Sequence, residues 1–152
     1  MKRALVTGGC GFIGSNLTKA LVDQGWIVDV VDNMSNGHIE LLDKLKLRHL
    51  PNSFFLKHYK AQIKDRDQKE VIFIEDDFSS LGILQHIHEK NYDVIFHQAA
   101  IPRVSYSVEN PAETTETNIT KTVALFEAAA GCVERIVFAS SSSVYGGAEI
   151  LP

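Results

Sequence analysis

The chain has little cysteine and no long apolar run. Its two cysteines, Cys10 and Cys132, lie far apart and match no metal-binding spacing, so we expect free thiols, a reducing cytoplasmic compartment and no metal site. No apolar stretch approaches the roughly 20 residues that cross a bilayer. The apolar run after Met1 is also too short for the core of a signal peptide. The composition therefore predicts no membrane partner.

The chain also has no excess of positively charged residues. The chain carries 15 Lys and Arg against 19 Asp and Glu, for a formal net charge of -4, and its basic clusters are short. This balance indicates no nucleic-acid partner. The length of 152 residues and the hydrophobic content of 45% are typical of one globular domain with a real core.

Short apolar runs alternate with segments of helical period along the chain. The runs predict strands at 3–7, 26–32, 71–75, 93–97 and 135–140. They are almost uninterrupted apolar stretches, which is typical of a parallel sheet covered by helices on both faces. Right-handed crossovers then predict an α/β, doubly wound sheet with strand order 3-2-1-4-5.

Three helices are predicted between these strands. The first stops near Gly25 and buries a face formed by Ile13, Leu17, Ala20 and Leu21. The second is capped by Ser79 or Ser80. The third begins with Asn110 as cap and Pro111 in the first turn, and runs through Ile119, Val123 and Phe126 to Gly131.

One long segment does not fit the alternation. Residues 38–70 are polar and are longer than a usual connection between strands. We expect one or two helices there, broken near Pro51. The segment is interpreted as a solvated surface insertion, and a contact with a partner or a second subunit is the alternative.

The glycines of VTGGCGFIGSNL (6–17) lie between the first strand and the first helix. Gly8 or Gly9 permits a tight turn, Gly11 lets a pyrophosphate approach the backbone, and Gly14 permits close packing of the helix. The helix N terminus offers amides and partial positive charge to the anion. No Lys follows these glycines, which excludes a P-loop.

Asp32 ends the second predicted strand. Its distance in sequence from the glycines is close to the roughly 20 residues that this kind of site requires. Its carboxylate would accept hydrogen bonds from the adenosine ribose and repel a 2′-phosphate. The sequence therefore predicts a Rossmann-type domain that binds NAD rather than NADP.

Further stretches extend this interpretation: TGGCGFIGSNL (7–17), DNMSNG (32–37), EDDF (75–78), HQAAIPRVSYS (97–107), the region of Asn118 and SSSSVYG (140–146). Together they resemble the extended short-chain dehydrogenase/reductases, specifically the NAD-dependent nucleotide-sugar epimerases and dehydratases. The stretches follow the family's order and span nearly the whole chain. AAIPRVSYSVENP is most similar to the UDP-hexose 4-epimerases.

The resemblance implies a set of cofactor-binding residues. Asp32 and Asn33 would hold the adenosine ribose, Asp77 and Phe78 would flank the adenine with the carboxylate accepting from its amino group, and Asn118 would support the fourth strand. The full set is Gly8, Gly11, Phe12, Ile13, Gly14, Asp32, Asn33, Ser35, Gly37, Asp77, Phe78, Gln98, Ala99, Ala100 and Asn118.

The resemblance also implies a catalytic hydroxyl at Ser141, which would hydrogen-bond the sugar oxygen during hydride transfer. Ser142 and Ser143 would line the sugar pocket, and Arg103, Ser105 and Ser107 would face the substrate. The serine run taken alone would favour a polar loop with satisfied hydroxyls, and the other motifs are what favour the catalytic interpretation.

The family's general base is missing from this chain. That base is a Tyr followed by Lys at the fourth position, because a nearby cation must lower the pKa of the phenol. Tyr145 is not that residue, and no Y-x-x-x-K occurs in the 152 residues. We therefore expect the chain to be the incomplete NAD-binding part of a longer enzyme, without the C-terminal substrate domain and inactive by itself. A natural short protein is the alternative.

A carboxylate is also missing just before VYG. The 4,6-dehydratases carry Thr-Asp-Glu where this chain has Ser141, Ser142 and Ser143, which favours an epimerase acting on a UDP-hexose. A dehydratase or reductase of the same family is the alternative, and an NAD-binding module without chemistry is the alternative of another class. The resemblance implies a homodimer for the longer parent.

Two side chains near these motifs have plain structural interpretations. Cys10 lies in the glycine loop near a helix N terminus, which could lower its pKa, but a small packing residue is favoured. His97 ends a predicted strand and is interpreted as a satisfied core or loop histidine.

Overall fold

The computed structural model describes residues 1–51, 59 and 65–146. Six parallel strands form one sheet: β1 (Arg3–Thr7), β2 (Ile27–Asp32), β3 (Lys46–Pro51), β4 (Glu70–Glu75), β5 (Val94–His97) and β6 (Arg135–Phe138). Their order across the sheet is β3-β4-β2-β1-β5-β6. The predicted doubly wound α/β fold is therefore confirmed, and the predicted order 3-2-1-4-5 corresponds to β4-β2-β1-β5-β6.

Strand β3 is the element that the prediction missed. It lies within the segment for which helices were expected, and it pairs in parallel with β4 from Lys46–Glu70 to Pro51–Glu75. The Lys- and Leu-rich stretch is typical of a helix by propensity, but pairing at the sheet edge buries Leu50 and lets Arg48 contact Glu70 at 2.8 Å. An edge position tolerates Pro51, which has no amide to donate. Residues 39–42 of the expected helical segment form only a short 3₁₀ turn, and residues 52–58 and 60–64 lie outside the described residues.

The α-helices are α1 (Phe12–Asp23), α2 (Leu81–His88), α3 (Val104–Glu109), α4 (Pro111–Thr115) and α5 (Lys121–Ala129). A π-helical turn, Glu116–Thr120, joins α4 to α5, and 3₁₀ turns occupy Ile39–Leu42 and Ser142–Tyr145. No helix within the described parts of the chain combines the length and the apolar content that crossing a membrane requires.

The buried face of α1 differs from the predicted one. Gly14, Ser15, Thr18, Leu21 and Val22 are buried, whereas Ile13 is 63% exposed. The predicted face was offset because it counted large apolar side chains, while the first half of the helix packs closely through Gly14, Ser15 and Thr18. Ile13 is consequently free to line a cavity at the start of the helix.

The third predicted helix is interrupted. The side chain of Asn110 does not cap α4 but donates to the carbonyl of Tyr106 at 3.3 Å, because α3 ends directly before it. The π-helical turn then changes the phase of the side chains ahead of α5. Such turns occur often at functional sites.

The core has two layers, one on each face of the sheet. Leu5, Ile72 and Ile74 face one layer, which also contains Ile87 of α2 and Leu125 of α5. The alternate strand residues face the other layer with α1; they include Ala4, Val6, Val71 and Phe73. Both faces are covered, which explains why the strands are almost uniformly apolar.

Buried charge fastens part of the predicted insertion to the sheet. The Asp29 carboxylate, in the middle of β2, is fully buried. It accepts hydrogen bonds from Tyr59, from Tyr92 at 3.0 Å, from Arg3 at 3.2 Å and from Arg66 at 2.6 Å. Tyr59 and Arg66 therefore belong to the packed interior and are not part of a solvated surface.

Candidate functional site

The glycine loop turns sharply between β1 and α1. Gly8 has a φ of +67°, and its amide donates to the carbonyl of Val31 at 2.9 Å. A Cβ at Gly8 would lie 2.8 Å from the backbone of Ala99, and one at Gly14 would overlap the carbonyl oxygen of Gly8. Only glycine fits these two positions, because the glycine loop, the segment after β5 and the start of α1 meet there backbone to backbone.

The first turn of α1 opens onto this loop. Gly11 is the N-cap residue and provides no side chain to cap the helix. The first amides of an α-helix have no partner within the helix, so the amides of Phe12, Ile13 and Gly14 are available to an acceptor. The N terminus of α1 therefore concentrates hydrogen-bond donors and partial positive charge beside the glycine loop.

Asp32 stands beside the loop. Its Oδ2 accepts from the amide of Cys10 at 2.9 Å, and its Oδ1 accepts from the amide of Met34 at 2.9 Å. The amide of His38 donates in turn to the carbonyl of Cys10 at 2.8 Å, so the turn after β2 is fastened to the glycine loop. Each carboxylate oxygen keeps a lone pair for a further donor.

A cavity of about 420 Å³ lies at the carboxyl ends of β1, β2, β4 and β5. Its size is within the range of small-molecule sites. The residues that line it are Gly8, Gly11, Phe12, Ile13, Gly14, Val31, Asp32, Asn33, Ser35, Asn36, Gly37, Asp76, Phe78, Gln98, Ala99, Ala100, Ile101, Pro102 and Thr117. Nearly all the residues predicted to bind a cofactor are therefore brought together.

Asp77 and Asn118 are the two exceptions. The carboxylate of Asp77 forms an ion pair with Lys121 at 2.7 Å and accepts from Ser79, while Asp76 lines the cavity in its place. The acidic side chain that lines the cavity after β4 is therefore one residue earlier in the sequence than predicted. Asn118 brackets Ile101, accepting from its amide at 2.8 Å and donating to its carbonyl at 3.0 Å.

Sequence reasoning missed several residues of the cavity wall. Asn36, Asp76, Ile101 and Pro102 all lie inside motifs that were recognised, so their neighbours in the sequence were the available signal. Thr117 directly precedes Asn118, but its position in the cavity wall depends on the π-helical turn, which the sequence did not predict.

The residues predicted to contact a substrate lie farther along the same edge. Arg103 lines a second cavity of about 360 Å³, together with Ser35, Asn36, Ile101, Pro102, Tyr106 and Glu113. Ser105 and Ser107 are on α3, where the Ser107 hydroxyl donates to the carbonyl of Val104 at 2.7 Å. The two cavities share four residues and are adjacent.

The serine run follows β6 and is exposed. Ser141 caps the 3₁₀ turn Ser142–Tyr145, and its hydroxyl oxygen accepts from the amide of Ser143 at 3.2 Å. The same hydroxyl donates to the Oγ of Ser143 at 3.1 Å. The Ser141 side chain is therefore held in place locally, just beyond the carboxyl end of the sheet.

Burial decides the chemistry of Cys10 and His97. Burial raises the pKa of the Cys10 thiol to about 12, and the nearby Asp32 carboxylate raises it further, so Cys10 packs and does not react. Burial lowers the pKa of His97 to about 4, and the ring contacts the hydroxyls of Thr7 and Thr122 at 2.6 and 3.0 Å. No cluster of three or more potential metal ligands occurs among residues 1–51, 59 and 65–146.

Comparison with known proteins extends over the whole chain. The model of the NAD dependent epimerase/dehydratase family matches residues 4–152. UDP-glucose 4-epimerase 3 of Oryza sativa subsp. japonica is 34% identical over 151 residues, which are 97% of this chain and 36% of that protein. The chain therefore spans little more than a third of the length of this relative.

Solved structures agree with the sequence relatives. UDP-N-acetylglucosamine 4-epimerase from Methanobrevibacter ruminantium M1, in complex with UDP-N-acetylmuramic acid, superposes with a TM-score of 0.75 at 29% identity, covering 99% of this chain and 41% of the other. UDP-glucose-4-epimerase from Stenotrophomonas maltophila, with bound NAD and formylated UDP-arabinopyranose, gives 0.75 at 27% identity, covering 100% and 40%.

Proposed function

Because the chain belongs to the NAD-dependent epimerase/dehydratase family, we propose that it is the cofactor-binding part of a nucleotide-sugar 4-epimerase. The observation that carries the proposal is the cavity itself, which joins the glycine loop, the first turn of α1 and Asp32 at one sheet edge. NAD is the cofactor of the family, and the glycine turn, the free amides of α1 and the carboxylate at the end of β2 are the features that a dinucleotide site requires.

Each part of the cavity has a complementary part of NAD. The amides of Phe12, Ile13 and Gly14 would receive the pyrophosphate. Asp32, supported by Asn33, would accept from the hydroxyls of the adenosine ribose. Gln98, Ala99 and Ala100, at the end of β5, would line the inner ribose and phosphates, with Ser35 and Gly37 near the adenosine ribose.

The reacting sugar would lie toward the serine run. NAD, when bound, supplies a hydride acceptor. Ser141 would donate to or accept from the sugar oxygen whose proton is lost, with Ser142 and Ser143 beside it and Arg103, Ser105 and Ser107 facing the rest of the substrate. The serines carry no carboxyl group for an elimination, which favours epimerisation over dehydration.

The substrate we propose is a UDP-hexose, since relatives and structural neighbours are named for UDP-sugars. The parent protein would add a C-terminal substrate domain and would form a homodimer in the cytoplasm. Exposed apolar side chains on α3, the π-helical turn and α5 support the dimer, among them Val104, Val108, Ile119 and Val123.

Titration calorimetry with NAD and NADP tests the proposal. We expect the chain to bind NAD and to bind NADP at least about tenfold more weakly, because the Asp32 carboxylate repels the 2′-phosphate. The variant Asp32→Ala should lose most of this preference, whereas Asp43→Ala, which removes an exposed carboxylate, should keep it. The chain incubated with NAD and UDP-glucose should give no conversion, since Y-x-x-x-K is missing.

Three outcomes would contradict this scheme. Failure of the folded chain to bind either dinucleotide would refute the cofactor site. An unchanged preference in Asp32→Ala would remove Asp32 from its proposed role. Turnover of UDP-glucose by this chain would mean that another group serves as the base, and NAD binding by a full-length parent without any turnover would favour a binding module.

A further inference from the structure

The wall of the larger cavity carries an excess of negative charge. Among the described residues that line it, only Asp32 and Asp76 have charged side chains, and both are acidic. Burial raises the pKa of the Cys10 thiol in the glycine loop, and the carboxylates of Asp32, Glu40 and Glu75 raise it further. The charged groups that act on the glycine loop are therefore acidic, and no described residue of the cavity wall offers a cation.

A dinucleotide would increase this imbalance, because each phosphate of its pyrophosphate is negatively charged. The N terminus of α1 compensates only part of the added charge, since a helix dipole is equivalent to about half an elementary charge. The first turn of α1, residues 12–15, contains no basic residue that could add to it. A tightly held pyrophosphate therefore needs a cation from another element.

Arg103 presents a cation at the boundary of the larger cavity. It directly follows Pro102 and lines the second cavity, which shares four wall residues with the larger one. Its guanidinium has no hydrogen bond or ion pair within the part of the chain that the structure describes. Arg3, Arg48 and Arg66, in contrast, each form an ion pair with a carboxylate. Arg103 is thus available to an anion at the junction of the two cavities.

The acidic residue of the second cavity does not neutralise Arg103. The Oε2 atom of Glu113 accepts from the hydroxyl of Tyr106 at 2.7 Å, which joins α4 to α3. This hydrogen bond raises the pKa of the Tyr106 phenol, so that Tyr106 remains a neutral donor to the carboxylate. The carboxylate is held by its own helix pair, and the charge of Arg103 stays uncompensated.

The backbone that carries Arg103 is fixed on both sides. Asn118 accepts from the amide of Ile101 at 2.8 Å and donates to its carbonyl at 3.0 Å. The ring of Pro102 locks its φ angle. The carbonyl of Arg103 accepts from the amide of Ser107 at 3.0 Å, where α3 begins. A rigid backbone therefore presents an exposed side chain that can turn toward the larger cavity.

We propose that Arg103 is a cofactor-binding residue that, together with the amides of α1, binds the pyrophosphate of a dinucleotide. A guanidinium suits this role because it donates two parallel hydrogen bonds to phosphate oxygens. This inference rests on the proposed function, because it assumes that the larger cavity binds NAD. It assigns the Arg103 side chain to the cofactor, whereas the resemblance assigns it to the substrate.

A series of charge changes at Arg103 tests the proposal. Dissociation constants for NAD are measured by titration calorimetry with the wild type, Arg103→Lys, Arg103→Met and Arg103→Glu. Affinity should fall in this order, with a loss of about tenfold in Arg103→Met, because hydrogen bonds to charged groups are strong. Arg135→Met is the matched control, since it removes an exposed arginine at the start of β6, and it should bind NAD like the wild type.

A second ligand and a second salt concentration distinguish the pyrophosphate from the rest of NAD. ADP-ribose keeps the pyrophosphate and lacks the nicotinamide, so its affinity should fall by the same factor in Arg103→Met. Raising NaCl from about 0.02 M to about 0.5 M should narrow the difference between the wild type and Arg103→Met, because salt screens exposed charges.

Three results would overturn the inference. Equal affinity of the wild type and Arg103→Met for NAD would remove Arg103 from the site. Equal losses in the Lys, Met and Glu variants would show a structural effect that is independent of charge. A loss confined to NAD and absent for ADP-ribose would place Arg103 at the nicotinamide. Cooperative urea unfolding identifies the folded variants, and each of these is compared with the wild type.

Failure of the wild type to bind either ligand would instead refute the proposed function, and this inference with it. NAD binding that is unaffected at Arg103 leaves the proposed function standing and refutes this inference alone.

Discussion

At the scale of single residues, the glycines of this chain serve two separable purposes. Gly8 and Gly25 both have positive φ, of +67° and +80°. A Cβ at Gly25 would meet nothing within 4 Å, whereas one at Gly8 would meet the backbone of Ala99 at 2.8 Å. Gly8 is required by the close approach of the turn after β1 to the segment after β5, and Gly25 only by the end of a helix.

Substituting each glycine singly distinguishes the cost of a left-handed backbone conformation from the cost of a steric overlap. Gly25→Ala should lower the free energy of unfolding by about 1 kcal/mol, the cost of a left-handed conformation. Gly8→Ala should lose about 2 kcal/mol more, because the Ala99 backbone must move to relieve the overlap. Urea denaturation measures both values. Equal losses would mean that the loop yields easily and does not need glycine for its packing.

At the scale of elements, His97 joins three of them. Its ring lies between Thr7 of β1 and Thr122 of α5, and it is 1% exposed at the end of β5. The folded protein holds the ring neutral down to a pKa of about 4, whereas the unfolded chain takes up the proton near pH 6.5. Stability contributed by the neutral ring is therefore present above pH 6.5 and is lost as the pH falls toward 4.

This difference predicts an acid-dependent loss of stability. The part due to His97 should reach about 3 kcal/mol between pH 6.5 and 4. His97→Gln should show a smaller fall in the free energy of unfolding than the wild type, as measured by urea denaturation at both pH values. His38→Gln, which changes an exposed histidine, should keep the wild-type fall. Parallel pH profiles for wild type and His97→Gln would contradict the assignment.

At the scale of the whole molecule, a buried network connects regions that lie far apart in the sequence. Asp29 of β2 contacts Arg3, Tyr59, Arg66 and Tyr92, at the opposite ends of the strands from the cavity. A fully buried carboxylate with two arginines is stable only while each charge has its partner. Tyr59 and Arg66 follow β3 in the sequence, so the network connects this part of the chain to β2 at the centre of the sheet.

Removing this charge should be costly. Asp29→Asn leaves two partly buried guanidinium groups without their carboxylate, and we expect a loss of about 3–5 kcal/mol in the free energy of unfolding. Glu134→Gln breaks an exposed ion pair and should cost about 1 kcal/mol or less. Thermal and urea unfolding measure both variants. A small effect of Asp29→Asn would show that the network adds little to the stability of the sheet.

Local pattern determined much of this protein by itself. The uninterrupted apolar strands, the glycine turn and the acidic end of β2 each follow from short-range chemistry, so the fold class, the order of five strands and the centre of the cavity could be predicted. The motif residues that line the cavity lie close together because the parallel strands that carry them end at the same edge of the sheet.

Tertiary structure alone decided the remaining features, because each depends on partners distant in sequence. The edge strand Lys46–Pro51 forms only against β4, and its Lys- and Leu-rich composition otherwise indicates a helix. Ile13 faces a cavity rather than the core because α1 packs through its small residues. Asp77 turns to Lys121 because a π-helical turn brings that lysine within reach, which no local pattern in the sequence indicates.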